Sequence, residues 1–340
     1  MPGSVLESRA GSILASAEEV DVTELYHILR RQTHRVLSDA ADEREKLQKE
    51  INLLWKPALD RLEGNSILAH HLGREFNEEE LQANTFDATR NALCRLHANA
   101  CLVGSEIVAL LRTGHANGAE ARWRSLFEIT VVSEFVLRGG NGVAQRYLDH
   151  NIVKAWEDAK AWQSSADAGN RFSDEELSAL QQDADALKIS YGKDYLDSYG
   201  WATEALRQQG LLSGKGRATF QKLQEAVSFD ILLPNGYRLA SHAVHPTSKG
   251  IHFNLNSKSP FGRHALSAPS PYGVFQPGWN TSHSLFHATA ILLGVDLNEN
   301  RKMLLRAFER LTRVGMRHFV RAQKRMDAIP RPKYEPHSLR

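Results

Sequence analysis

Three histidines crowd one short stretch of the chain, "LASHAVHPTSKGIHFN", which runs from residue 239 to 254. His242 and His245 are three residues apart, so they share a face if this stretch is helical, and Pro246 ends such a helix directly afterwards. Both imidazoles then lie in the last helical turn, where the helix dipole stabilises their protonated forms. Imidazoles held in this way can move protons or bind an anion, which makes His242 and His245 candidate site residues.

Two further pairs of polar residues have helical spacing. Arg124 and Glu128, in "RWRSLFE", are four apart and head an apolar stripe, so we expect them to be partly buried. A fixed guanidinium suits anion binding, and the carboxylate can orient it or act as a base. Arg146 and His150, in "RYLDH", repeat the spacing, and the charge of the arginine should keep the imidazole neutral. The structural alternatives are an ion pair that fixes helix register and a histidine that is hydrogen-bonded between helices.

Cofactor and metal motifs are poorly matched. "GLLSGKG" is one residue shorter than a phosphate-binding loop, and "GGNGVA" follows a helical pattern rather than a strand, so we expect no cofactor. A metal set would have to combine His242 and His245 with His283 and His287, which are four apart in "HSLFH". No nearby aspartate or cysteine completes it. A metal-dependent hydrolase therefore stays an alternative, and the leading interpretation has no metal.

The elements that position these residues are predicted to be helices. Apolar residues recur at three-and-four spacing over residues 22–62, where Pro57 limits or kinks the helix, and a polar linker or short helices follow over 63–83. Three helices over about 85–112, 120–137 and 143–164 are separated by short glycine-containing turns, which favours antiparallel neighbours. No alternation is long enough to predict a sheet, so the expected fold is an all-α helical bundle.

The second half of the pattern is less regular. Ser173 and Glu176 have the spacing of a capping box and predict a helix start. A proline- and glycine-rich loop over about 246–277 precedes a long helix from 281 to 326, with an expected break near 294–298. We therefore predict three parts, which are an N-terminal helical extension (1–83), a helical core domain (84–326) and a flexible tail (327–340).

Composition narrows the class of protein. The 340 residues carry a formal net charge of +2, which gives no global case for nucleic acid or membrane, although the chain from Arg301 onward is strongly basic. The first residues lack a basic region followed by an apolar block, so we expect no secretory leader. Cys94 and Cys101 are too far apart on one helix for a disulfide, which indicates reduced thiols and a cytoplasmic location.

Three segments carry a resemblance to a known family. "EARWRSLFEITVVSEFVL", "AQRYLDH" and "LASHAVHPTSKG" together resemble a bacterial family of unknown function. Its members are all-helical and share an Arg-x-x-x-Glu helix and a later Ser-His-x-x-His segment. The resemblance covers about residues 93–252. The resemblance implies a helical fold and does not imply a particular reaction.

A looser likeness is to the HEPN superfamily of helical RNases and nucleotide-transfer partners, which are frequent in toxin and phage-defence systems. Their mark is an arginine, four to six further residues and then a histidine, a pair that cuts RNA without a metal. This spacing occurs here in Arg90 and His97, in Arg238 and His245, and in Arg313 and His318.

The sequence therefore predicts a cytoplasmic homo-oligomer with no membrane segment and a polar pocket for a phosphate-bearing ligand, RNA or a nucleotide. If it is a nuclease, His245 or His150 would move protons while the arginines hold the phosphate. The predicted site residues are Arg124, Glu128, Arg146, His150, His242 and His245. The main alternative is a non-enzymatic interaction protein whose charged N-terminal helices dimerise or bind a partner.

Overall fold

The computed structural model describes residues 22–84, 87–164, 172–228, 237, 240 and 268–329, without the side chains of Glu24 and His34. All regular structure within these residues is helical, which confirms the all-α prediction. The α-helices are α1 (Val22–Ala83), α2 (Ala88–Arg112), α3 (Ala116–Gln163), α4 (Asp174–Tyr191), α5 (Thr203–Gln208), α6 (Phe220–Val227), α7 (Phe275–Leu293) and α8 (Glu299–Ala328). Short 3₁₀ turns cover Lys193–Leu196, Gly200–Ala202 and Gly294–Asp296.

Helix α7 lies at the centre of the molecule and packs against α1, α2, α3 and α8. Its sequence is mostly apolar or small, so most of its faces can be buried without leaving a charge in the core. Large aromatic side chains fill the space around it, among them the fully buried Trp55, Trp123 and Phe319. The close approach of α1 to α2 requires Gly73, because a Cβ at that position would overlap the imidazole of His97.

Helix α1 corrects the sequence prediction for residues 63–83. No linker occurs there, and the helix continues to Ala83 with Pro57 inside it. Pro57 lies on the solvent side, whereas Leu62, Ala69, Leu72 and Phe76 are buried against the core at helical spacing. Burial of this face stabilises the helix more than its polar composition disfavours it. The second half of α1 is therefore built into the core. The division into three parts stays a prediction.

Helix α3 has a kink at Gly140, where φ is 63° and ψ is −162°. The sequence predicted two separate helices here, but the chain resumes its helix at once because glycine adopts this left-handed conformation without steric cost. Asn141 anchors the kink to the start of α2, since its Oδ1 accepts hydrogen bonds from the Thr89 hydroxyl (2.8 Å) and amide (3.1 Å). Arg124 with Glu128 and Arg146 with His150 thus lie on two arms of one bent helix.

Other local predictions are confirmed. Ser173 and Glu176 form the capping box at the start of α4. The last predicted helix is broken as expected, between α7 and α8. Cys94 and Cys101 are free, and burial raises the pKa of their thiols to about 11 and about 12.

Among the described helices, α2 alone is long and apolar enough to cross a membrane. Half of its apolar segment is buried in the core.

A buried ion-pair network joins α1, α2 and α8. The carboxylate of Glu80, whose side chain is 5% exposed, accepts hydrogen bonds from Arg90 Nε (2.6 Å) and Arg301 Nη2 (3.5 Å). Arg301 also pairs with Glu79 and stacks on the ring of Phe76, 4.6 Å from its centroid. Without Glu80, Arg90 would keep Asp87, and Arg301 would keep Glu79 and Asp296, all of which are more exposed acceptors than Glu80.

We therefore expect Glu80→Gln to lower the free energy of unfolding by about 1–3 kcal/mol, because two guanidinium groups lose the buried charged acceptor that they share. The matched control is Glu78→Gln in the same helical turn, where an exposed pair with Arg74 (3.7 Å) should contribute less than about 0.5 kcal/mol. Urea unfolding of both variants measures the difference. Equal stability of the two variants would contradict a structural role for the network.

Candidate functional site

Arg124, Glu128 and Tyr237 form a closed hydrogen-bonded cluster, which we call the Arg124 cluster. Arg124 Nε donates to Glu128 Oε1 (3.0 Å), and Arg124 Nη2 donates to the Tyr237 hydroxyl (2.9 Å). The same hydroxyl donates to Glu128 Oε1 (2.7 Å), and the guanidinium lies 4.8 Å from the centroid of the Tyr237 ring. The i, i+4 spacing on α3 brings the charged groups together, and Tyr237 is packed on Phe127 and Phe220.

The electrostatics of the Arg124 cluster suit a structural role better than proton transfer. Burial and the Glu128 carboxylate raise the pKa of Tyr237, so the phenol stays neutral. Burial alone would lower the pKa of Arg124, but its hydrogen bonds with Glu128 and Tyr237 outweigh that effect and raise it. Because the positive charge of Arg124 is balanced by Glu128, the cluster is internally compensated. It fixes residue 237 against α3.

Arg146 and His150 lie on the other arm of α3, beside the segment that follows α4. His150 is buried, and its Nε2 lies 3.0 Å from the carbonyl oxygen of Asp197. Arg146 stacks on Tyr191, with Cζ 4.7 Å from the ring centroid. The pKa of His150 is lowered as predicted, but the main cause is burial, and the positive charge that contributes is that of Lys154 rather than Arg146.

The predicted convergence of three polar segments is not tested by the described residues. Tyr237, five residues before His242 in the sequence, is bonded to Arg124 and Glu128. His242 and His245 themselves lie outside the described residues. Within the described ranges, no hydrogen bond or ion pair links Arg124 and Glu128 to Arg146 and His150. The role of these six residues stays a prediction.

A second polar site, which the sequence predicted only as a possible metal pair, lies between α7 and α8. It is a groove of about 750 Å³, which we call the basic groove. Helix α7 lines it with two imidazoles and two aromatic rings, from His283, His287, Trp279 and Phe286. Helix α8 lines it with a row of four arginines and two further polar side chains, namely Arg306, Arg310, Arg313, Arg317, Glu309 and Thr312.

The described residues do not balance the positive charge of the basic groove. Glu309 is the one acidic residue among the described residues that line it, so four arginines against one glutamate leave three net positive charges. Glu309 pairs with Arg313 at 2.6 Å, while Arg306, Arg310 and Arg317 form no ion pair with the described residues. A cationic row of this kind beside apolar rings attracts an anion that also has a flat apolar part.

The two histidines of the groove face each other with ring centroids 4.3 Å apart. Burial, and then the neighbouring imidazole, lower the pKa of His283 to about 4. Burial also lowers the pKa of His287, against the opposing effect of Glu309. Both rings are therefore neutral at pH 7, and each can offer a donor or an acceptor according to its tautomer.

Thr312 adds a polar atom that the described residues do not satisfy. Its side chain is buried beside the groove, and its Oγ1 has no hydrogen-bond partner among the described residues. Buried hydroxyls usually have a partner, so Thr312 is an unusual residue in the wall of the groove. The sequence signal for the basic groove was the repeat of arginines at three-and-four spacing in α8. Such a repeat usually indicates a solvated helix face, and only the packing of α7 beside it shows that it lines a groove.

The remaining chemical candidates have structural explanations. His97 is buried in the core and lies 3.1 Å from the Thr289 hydroxyl, and Arg90 belongs to the Glu80 network. Arg313 lines the groove, but His318 is five residues further along α8 and hence about 140° around the helix. No group of three metal-ligating side chains occurs in the part of the chain that the structure describes. The alternative metal set, which includes His242 and His245, stays a prediction.

Helix α3 contains one buried acid that the sequence did not single out. Glu120 is almost fully buried, its Oε2 has no hydrogen-bond partner in the described part of the chain, and burial raises its pKa to about 8. The group is therefore largely a neutral carboxylic acid at pH 7. One helical turn later, Trp123 Nε1 donates to Ser284 Oγ (3.1 Å), which ties this end of α3 to α7.

The Arg124 cluster can be tested as a structural clamp. We expect Arg124→Ala to lower the free energy of unfolding by about 1–3 kcal/mol, because Glu128 and Tyr237 lose their cationic partner. The control is Arg138→Ala, which removes another i, i+4 pair of the same helix, with Glu134, and should cost about 0.5 kcal/mol. Thermal and urea unfolding of both variants measures the difference. An Arg124→Ala protein as stable as the control would show that the clamp contributes no stability.

Comparison with known proteins identifies the family of the chain. No curated protein and no solved structure matches it. A model of the family of unknown function DUF5677 matches residues 90–262, slightly more than half of the 340 residues. The matched region includes the Arg124 cluster, Arg146 and His150, and it ends before the basic groove. The chain therefore belongs to the DUF5677 family.

Proposed function

We propose that this protein binds a phosphate-bearing ligand, RNA or a nucleotide, and that the phosphates lie in the basic groove. The observation that carries the proposal is the row of four arginines facing two imidazoles across one groove. Guanidinium groups donate in a planar fork that matches phosphate oxygens, and three net positive charges provide the attraction.

The length of the arginine row supports a ligand with several phosphates. Arg306, Arg310, Arg313 and Arg317 follow one face of α8, and the first and last are eleven residues apart. At 1.5 Å per residue the row is about 16 Å long, which is more than a single phosphate can occupy. A linear arrangement of positive groups is typical of proteins that follow a nucleic-acid backbone.

The aromatic side chains support a ligand with bases. Trp279 and Phe286 line the same groove as the arginines and present flat apolar surface. Every nucleic-acid base has a face that stacks on such rings, so single strands bind with little sequence preference. A single-stranded RNA accounts for the rings and the arginine row together, whereas inorganic phosphate would leave the rings unused.

Cleavage of the bound RNA is the finer part of the proposal. Neutral imidazoles beside arginines suit a reaction without a metal, in which one ring accepts a proton and the guanidinium groups stabilise the charge that develops on phosphate. His242 and His245, which lie outside the described residues, are the other proton-transfer candidates. The HEPN likeness adds the proposal that a cytoplasmic RNase of this kind would act in phage defence or as a toxin.

The first test removes two groove arginines that form no described ion pair. We expect Arg310→Ala with Arg317→Ala to weaken binding of a single-stranded RNA oligonucleotide about tenfold or more. The slope of log affinity against log salt should also fall by about 1.4, because each lost phosphate contact contributes about 0.7 for single strands. Fluorescence polarisation measures both, and a gel of the same RNA incubated in EDTA shows whether it is cut without metal.

The matched control for that test is Arg74→Ala with Arg95→Ala, which removes the same charge from exposed arginines outside the groove. The control should keep its affinity within about twofold. An equal loss in both double variants would mean that total charge, rather than the groove, binds RNA. Unchanged affinity in the groove variant would reject the site.

The second test uses the histidine pair. Bound phosphate stabilises the charged imidazoles, so their pKa is higher in the complex than in the free protein, where that of His283 is about 4. Binding then takes up protons, and affinity should rise as pH falls from 8 toward 5. An RNA without terminal phosphates is used because phosphodiesters keep their charge over this range.

We expect His283→Asn with His287→Asn to remove most of this pH dependence. The control, His70→Asn with His71→Asn, alters two exposed histidines of α1 that do not line the groove and should leave the dependence intact. Fluorescence polarisation at constant ionic strength makes the comparison. A groove variant that keeps the full rise in affinity would exclude the histidine pair from the binding site.

A specific observation also favours a second candidate function, that of an interaction protein. Residues 22–50 of α1 contain no buried side chain among those described, yet they carry several large apolar groups. This surface is separate from the basic groove, so it is compatible with RNA binding.

A further inference from the structure

The arginines of the basic groove continue beyond the groove along α8. Arg317 is the last arginine that lines the groove, and Arg321 and Arg325 follow it at four-residue spacing. Each step of four residues turns only about 40° around the helix, so these three guanidinium groups form one oblique ridge. From Arg306 to Arg325 the basic surface is about 29 Å long at 1.5 Å per residue, whereas the groove alone accounts for about 16 Å.

The far end of this ridge surrounds His318 and is called here the His318 cluster. Burial, and then the charges of four nearby guanidinium groups, lower the pKa of the His318 imidazole. These groups belong to Arg321, Arg61, Arg317 and Arg325. Arg61 comes from α1, which approaches α8 closely at Gly315, where a Cβ would lie 3.3 Å from the Cβ of Arg61. Two helices therefore supply the charge of the cluster.

The described part of the chain does not balance the charge of the His318 cluster. None of its four arginines forms an ion pair with a described residue, and no carboxylate is among the groups that shift the pKa of His318. All four arginines are exposed, so a molecule from solution can reach them. Like charges held this close repel each other, and an anion between them would replace that repulsion by charge-assisted hydrogen bonds.

The direction of α7 relative to α8 determines which end of the groove faces this cluster. The ring of Phe286 contacts that of Phe308. Gly278, which is eight residues before Phe286, lies against the ring of Phe319, which is eleven residues after Phe308. The two helices are therefore antiparallel, and the first turn of α7 lies beside the residues of α8 that follow Phe319.

An aromatic ring in that first turn continues the apolar side of the groove. Phe275 lies four residues before Trp279 and only about 40° around the helix, and their ring centroids are 5.6 Å apart. Both residues are half-buried, so part of each ring remains accessible. The aromatic side of the groove thus extends from Trp279 toward the level of Arg321, in the direction in which the arginine ridge continues.

We propose that a single RNA strand bound in the basic groove continues along this ridge, and that the His318 cluster binds the phosphates that follow. The inference rests on the proposed function, because it assigns the cluster to the same ligand. Arg317 belongs to both sites, so the strand passes from one to the other without leaving the positive surface. At about 3.4 Å per nucleotide, 16 Å corresponds to about five nucleotides and 29 Å to about eight. The ligand class is then an oligonucleotide or a longer strand rather than a mononucleotide.

The test compares two strand lengths on the full chain. Fluorescence polarisation measures binding of single-stranded RNA of about four and about twelve nucleotides, both without terminal phosphates, which bracket usual site sizes. We expect Arg61→Ala with Arg321→Ala to weaken binding of the longer strand about tenfold and to leave the shorter strand within about twofold. The slope of log affinity against log salt should fall by about 1.4 for the longer strand only, because two phosphate contacts are lost.

Two further double variants separate the cluster from the groove. Arg306→Ala with Arg310→Ala should weaken both strands, and Arg74→Ala with Arg95→Ala should weaken neither. If the groove variant loses affinity for the longer strand and the cluster variant does not, the inference fails and the proposed function stands. A loss in the cluster variant alone would instead reject the groove as the phosphate site. A wild-type protein that binds neither strand would overturn both.

His318 provides a readout that does not depend on the total charge of the protein. A phosphate in the cluster offsets the four guanidinium charges, so the pKa of His318 should rise when the longer strand binds and stay unchanged with the shorter one. An NMR titration of the imidazole, assigned by its loss in His318→Asn, measures both. An unchanged pKa of His318 in the complex with the longer strand would contradict binding at the cluster.

Discussion

The burial of α7 among four other helices is the constraint on which the rest of the structure depends. Because α1, α2, α3 and α8 all pack against this one helix, the position of each is set relative to the others. The side of α7 that remains partly open carries His283, His287 and Trp279, and this side faces the arginines of α8. The packing that stabilises the core therefore also forms the basic groove.

The two polar sites differ in how their charge is balanced. In the Arg124 cluster a carboxylate and a phenol satisfy the guanidinium, so the site is suited to holding the chain together. In the basic groove, arginines from one helix face neutral rings from another, and the charge that remains is positive. An anion from solution would stabilise the basic groove more than the Arg124 cluster, because Glu128 already neutralises the guanidinium of the cluster.

The family match places these sites in different parts of the chain. The Arg124 cluster lies within residues 90–262, which the family model covers, whereas α7 and α8 follow that range. Kinked helix α3 connects the two regions physically, because its first arm carries Arg124 and also packs on α7 through Trp123 and Ser284. A ligand bound in the groove would thus lie against α7, which contacts the arm carrying Arg124.

Local chemistry made much of the helical pattern predictable. Apolar spacing predicted α2 and α8, the Ser173 capping box predicted the start of α4, and i, i+4 spacing predicted the contact of Arg124 with Glu128. These features depend on neighbours within about one helical turn, which periodicity reveals. The same reasoning failed over residues 63–83, because the stability of that helical segment comes from a buried face rather than from its polar composition.

Contacts between distant segments could not be derived in this way. Spacing shows which side of a helix a residue occupies, but it does not show which other helix lies opposite. The contact of Tyr237 with Arg124 spans 113 positions, and the approach of the α8 arginines to His283 and His287 depends on how two helices pack around a shared core. Long-range packing of this kind arises from the shapes of many buried side chains together, so it becomes visible only in the folded molecule.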